Sequence, residues 1–96
     1  MSAFFIFDNK AVTDPAKLKA YKTGFASVVA AYGGTYRVLG GQFEVVEGDW
    51  TPSFLVMIEF PSLDAAKKWY HSSEYAELKA LRMSAVKCNG VVIEGL

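Results

Sequence analysis

Residues 35–60, TYRVLGGQFEVVEGDWTPSFLVMIEF, decide how this chain folds. Two runs rich in β-branched and aromatic residues flank the turn-forming EGDWTP, Glu47–Pro52, so the stretch reads as a long β-hairpin. Gly40 and Gly41 interrupt the first arm, where a bulge or bend is expected. In the second arm Phe54, Val56, Ile58 and Phe60 share one face, while Leu55 and Met57 occupy the other. Both faces of that strand are therefore apolar.

Outward from the hairpin, the elements alternate. Upstream, AFFIFD (residues 3–8) is a first strand with the same two-faced character, Phe4 and Ile6 opposing Phe5 and Phe7. Between it and the hairpin lies a helix: Asp14 stands at the N-cap, Pro15 at the first helical position, and Gly33 or Gly34 at the C-terminal cap. Its apolar stripe is Leu18, Tyr21, Phe25, Val28, Val29 and Tyr32. Downstream, Pro61 ends the hairpin and Ser62 caps a helix from Leu63 to about Tyr70. After HSS a second helical piece runs from Glu74 to about Ala85, and CNGVVIEGL is the last strand.

The order βαββαβ predicts an α+β fold, the ferredoxin-like plait: a four-stranded antiparallel sheet with its helices on one face. Helices cover one face only, so the second apolar face is expected to meet another copy of the chain in a two-fold homodimer. Ninety-six residues suit a single domain, residues 1–96.

Composition narrows the function classes. Ten basic side chains balance ten acidic ones, so no broad field favours nucleic acid or an anionic membrane. The RNA-binding version of the plait would show a Lys/Arg-Gly-aromatic strand signature, which is missing. Cys88 is alone, fits a reducing compartment, and makes no metal site with the lone His71. The start, MSAFFIFDNK, alternates like a strand and lacks a basic leader, so the expected location is the cytoplasm.

Taken in order, VTDP, YGG, the GG before FEVVEGDW, IEFPS, WYHSSEY, LKALR and NGVVIEG resemble, over essentially the whole chain, a family of short bacterial proteins. It is the domain of unknown function numbered 1330, in the dimeric α/β-barrel superfamily. The resemblance implies the plait and the dimer. Superfamily relatives include cofactor-free monooxygenases, isomerases and haem-handling enzymes, and no activity follows for this chain. The family's usual arginine before the paired glycines is Leu39 here, and its proline between Ser and Glu is Ser73. Arg37 lies two residues before Leu39, a spacing that keeps one sheet face in a regular strand.

Pairing the hairpin about GDWT, with one extra residue at the glycines, places Leu39 opposite Glu59 and Arg37 diagonal to it. Glu59 and Glu94 then fall at one end of the sheet, and with Arg37 they make a candidate acid-binding rim, whose bland reading is solvation or dimer registry. His71 ends a helix, where an imidazole commonly caps. Adjacent Ser72 and Ser73 suit no Ser-His nucleophile. Arg82 shares a helical stripe with Tyr75 and Leu78, and Trp50 in the turn is either a dimer anchor or a pocket lid.

The leading reading is a homodimer that binds, and acts on without a cofactor, a small partly apolar acid in a cleft between sheet and helices. His71 and Glu59 are its candidate catalytic residues; Tyr21, Arg37, Trp69 and Arg82 are its candidate ligand contacts. No metal is called for, and the expected partners are a second copy and a small molecule. The alternative is a non-catalytic dimerisation or ligand-sensing module. A lesser one is haem handling through His71, Trp69 and Asn9.

Overall fold

A computed structural model describes residues 1–17 and 24–96. Its strands are β1 (Ala3–Val12), β2 (Thr35–Leu39), β3 (Leu55–Phe60) and β4 (Val86–Glu94). Its helices are α1 (Phe25–Ala31), α2 (Leu63–Tyr70) and α3 (Ser73–Ala85), and residues 15–17 are helical as well. The sheet order is β2-β3-β1-β4, and every neighbouring pair is antiparallel. The architecture is the expected α+β plait.

Local chemistry sets the helix ends. Asp14 Oδ1 accepts from the Lys17 amide at 3.2 Å, ahead of Pro15. Gly33 takes φ +83°, and the Gly33 and Gly34 amides donate to Ala30 O and Val29 O, each at 3.0 Å. This paired bonding closes α1, and only glycine adopts that backbone without strain. Ser62 Oγ accepts from the Ala65 amide and starts α2. Ser72 Oγ accepts from the Tyr75 amide at 3.2 Å to start α3, and donates to Trp69 O at 2.8 Å to finish α2. One hydroxyl therefore holds the break between the two helices.

Strand alternation then builds the core. Ala3, Phe5 and Phe7 share a face with Phe60, Ile58 and Val56, and this inner face meets the helices. Trp69 and Tyr75 are fully buried against it, their rings stacked at 4.3 Å; Phe5 packs edge-on to Trp69 at 5.1 Å. Truncating an aromatic of this kind to alanine costs about 3–5 kcal/mol. The outer face carries Phe4, Ile6, Met57, Val91 and Ile93, and the last two are each 54% exposed.

The hairpin departs from expectation. β2 ends at Leu39, and residues 41–46, expected to continue it, form no strand and lie exposed. Gly40, at φ +70°, turns the chain, and a β-carbon there would sit 2.2 Å from the Phe54 ring. β3 begins only at Leu55, so among the described residues no strand lies opposite residues 41–46. The extra residue falls at Arg37, between the pairs Tyr36↔Ile58 and Val38↔Met57, rather than at the glycines. Consequently Thr35, not Leu39, stands opposite Glu59, and Leu39 faces Val56.

Candidate functional site

Where the helices leave β4 uncovered, an open cleft of about 750 Å³ forms. Phe5 and Phe7 from β1 make its floor. The last turn of α2 contributes Lys67, Tyr70 and His71, while β4 contributes Lys87, Cys88 and Gly90. Gly90 keeps the floor open, because a β-carbon there would lie 2.7 Å from Phe7 Cδ1. Lys10 and Arg82 complete a set of basic groups, and no carboxylate lines the cleft among the described residues. Lys10 is itself tied at 2.7 Å to Asp8 Oδ2.

Adjoining the cleft on the inner face of the sheet lies an inner cavity of about 280 Å³, partly open to solvent where Leu39 and Phe54 are exposed. Phe7, Phe25, Phe54, Val56, Ile58 and Val86 give it an apolar wall, with Leu39 at its edge. Tyr36, Asn9 and Arg82 are its polar lining among the described residues. Arg82 is only 8% exposed. Its guanidinium lies 4.7 Å over the Phe7 ring, and its Nε donates to the Tyr75 hydroxyl at 3.3 Å. Burial, reinforced by the neighbouring Tyr75, pushes the Tyr36 phenol well above the ordinary tyrosine range, so it stays a proton donor. Burial likewise raises the Cys88 thiol, which argues against a thiolate nucleophile at neutral pH.

The predicted site residues scatter. Arg82 and His71 line the cleft, His71 as the exposed C-cap of α2. Arg37 and Glu59 form the expected ion pair, Nε to Oε1 at 2.8 Å. Glu59, however, pairs with Phe4 on the outer face, so this couple lies across the sheet from the helices and outside the cleft. The Arg37 guanidinium, helped by Ser2, holds the Glu59 carboxyl below the usual glutamate range. Glu94 pairs with Ala3 on the inner face, so Glu59 and Glu94 share an end of the sheet but not a face, and they make no carboxylate pair. The bulge also breaks the two-residue parity: Arg37 faces outward, Leu39 inward.

Trp69 is fully buried and lines neither space. Its indole Nε1, like Asn9 Oδ1, is buried without a partner among the described residues. The haem-handling trio is therefore spread over core, cavity and cleft. Tyr21 lies outside the described residues. Lys67 and Lys87 in the cleft and Tyr36 in the cavity escape a reading of the sequence, because no local spacing marks side chains that converge from separate elements.

Trp50 belongs to neither space. Its indole donates to Asp8 Oδ2 at 3.1 Å, the Ser53 amide donates to Asp8 Oδ1 at 3.0 Å, and Lys10 Nζ donates to Thr51 O at 2.6 Å. The turn is pinned to β1. No group of three or more His, Cys, Asp or Glu suited to a metal occurs among the described residues, and no described helix is long and apolar enough to cross a membrane.

The family model described as "Domain of unknown function (DUF1330)" matches residues 2–96. This chain belongs to that family. A comparison with curated proteins finds no match. Among solved structures, the DUF1330 chain is similar to the RPA0582 protein of unknown function from Rhodopseudomonas palustris, at 20% identity and a TM-score of 0.74, over 99% of this chain and 82% of that one. It is also similar to SnoaB, a cofactor-independent oxygenase from Streptomyces nogalater, at 12% identity and a TM-score of 0.62, over 99% and 91%. A dimeric protein of unknown function with a ferredoxin-like fold, from Bacteroides fragilis, matches at 16% identity and a TM-score of 0.61, over 98% and 96%. At these identities the likeness is one of fold.

Proposed function

We propose that this DUF1330 chain is a one-domain cytoplasmic homodimer that binds a small, partly apolar organic acid in the cleft between helices and sheet. One observation carries the reading. A cleft floored by phenylalanines is lined by Lys67, His71, Arg82 and Lys87 with no carboxylate among the described residues. Such a site attracts an anion whose body is apolar, and a buried guanidinium is the group best suited to fix a carboxylate. Arg82 and His71 are ligand contacts in this reading, while Arg37 and Glu59 register the outer sheet face. The exposed Val91 and Ile93 on that face support a dimer, as does the dimeric Bacteroides fragilis relative of the same fold.

Turnover of the acid is a second reading, favoured by the protonated Tyr36 phenol near Tyr75 and the Arg82 guanidinium. A phenol donor beside a fixed cation stabilises an enolate or oxyanion without a cofactor. The cofactor-independent SnoaB, on the same fold, gives this reading a precedent in chemistry alone.

A thermal-shift screen against small carboxylic acids tests the binding. A ligand at about one hundred times its Kd adds about 2.7 kcal/mol, and each kcal/mol moves the midpoint of so small a domain by about 4–8 °C. The expected hit is lost in Lys67→Glu and weakened by salt. A set of acids that leaves the midpoint unmoved removes the reading. Sedimentation velocity tests the dimer.

A further inference from the structure

The open cleft and the inner cavity share a wall. Phe7, Arg82 and Val86 line both spaces, and Arg82 is the charged residue of the cavity among those described. At about 280 Å³ the cavity is roughly twice the ~150 Å³ apolar hole that takes up benzene in an engineered core. Its capacity is therefore one or two fused rings. Phe25, Phe54, Val56 and Ile58 offer such rings dispersion contacts and nothing to pair with a second charge.

We infer that the two spaces form one bipartite site for an aromatic monocarboxylate, with its ring body in the inner cavity and its carboxylate on Arg82 at the common wall. The inference rests on the acid-binding reading above and narrows it to a class. Arg82 is pre-positioned, stacked over Phe7 and bonded to Tyr75, so little freedom is lost when a carboxylate docks. The lysines of the cleft attract the anion from outside, where water still screens them. Dicarboxylates fall outside the class, because beside Arg82 the cavity's polar lining among the described residues is the neutral Tyr36 and Asn9, and neither offers a second carboxylate a cation.

Titration calorimetry on the wild-type protein with 1-naphthoate, benzoate, acetate and the neutral alcohol 1-naphthalenemethanol tests this. The expected order is naphthoate, then benzoate, then acetate, with naphthoate at least about tenfold tighter than acetate and tighter than the alcohol. Leu39→Trp, at the 60% exposed rim of the cavity, is expected to weaken naphthoate by about tenfold. Acetate binding as tightly as naphthoate, or naphthoate indifferent to Leu39→Trp, overturns the bipartite site and leaves the acid reading standing. The alcohol binding as tightly as naphthoate overturns the acid reading itself, because the charge is then idle. Silence from all four probes overturns both.

Discussion

The indole Nε1 of Trp50 lies 3.1 Å from Oδ2 of Asp8, which joins an exposed turn to a carboxylate that is only 3% exposed on the sheet. Burial raises the Asp8 pKa, but Lys10, the Ser53 amide and the Trp50 indole together outweigh it and hold the carboxyl below the ordinary aspartate range. A depressed folded-state pKa contributes stability that is full above the unfolded value, about 3.9, and is lost as pH falls through the native value. Asp8→Asn is expected to cost about 2 kcal/mol at neutral pH and to flatten the acid limb of stability below about pH 4. Urea unfolding across acidic pH checks both. Trp50→Phe, which deletes a single donor, is expected to cost about 1 kcal/mol.

Ser72 and Ser73 are neighbours with unequal duties. Ser72 Oγ serves the Tyr75 amide and Trp69 O, whereas Ser73 Oγ, among the described residues, donates to the neighbouring Glu74 Oε2 at 3.4 Å. Ser72→Ala is expected to destabilise by about 1–2 kcal/mol, and Ser73→Ala to stay within about 0.5 kcal/mol. Equal thermal midpoints for the two variants would contradict the capping role.

Gly90 is a matter of space rather than backbone freedom. Gly90→Ala drives a methyl into the Phe7 ring, so the ring must move or the cleft must narrow. The expected cost is about 1–3 kcal/mol, together with weaker binding of whatever acid the thermal-shift screen finds. Full affinity in Gly90→Ala would show that the floor of the cleft is not in contact with ligand.

Trp69 already carries a buried indole N–H without a partner among the described residues. Trp69→Phe removes that unpaired donor along with some volume, and the two effects offset each other. The expected net change is under about 1.5 kcal/mol, against about 3–5 kcal/mol for Trp69→Ala. Chemical denaturation of the pair separates ring packing from hydrogen bonding.

For Arg37 the informative readout is the partner's titration. Arg37→Ala removes the guanidinium that holds Glu59 low, so the Glu59 carboxyl followed by NMR is expected to titrate at higher pH. Within one chain the Arg37 side chain is 56% and that of Glu59 27% exposed, so the stability of the single fold is expected to change little, and any loss falls on the proposed dimer.

Element order and helix ends were legible because each has a local mark. Asp14 with Pro15, Gly33 and Ser62 act within a few residues of where they stand. The inner-face parity of Phe5, Phe7, Val56, Ile58 and Phe60 was legible for the same reason, since alternation is a property of each strand alone. The register of β2 was not. Two glycines drew the bulge to residues 40–41, whereas the ladder accommodates it at Arg37, a residue with no special backbone preference. The cleft was least legible, because Lys67, Arg82 and Lys87 come from three elements and meet only after the sheet has formed.

The bulge at Arg37 has one further consequence. It lets two positions a dipeptide apart belong to different surfaces, Arg37 to the Glu59 couple and Leu39 to the cavity rim. A regular strand would bind both to one side and make their histories interdependent. Here each is free to drift on its own: a lineage can exchange residue 39 to retailor the cavity while residue 37 goes on matching Glu59. The two substitutions should combine additively in a double-mutant cycle, although their α-carbons stand only about 7 Å apart along the chain.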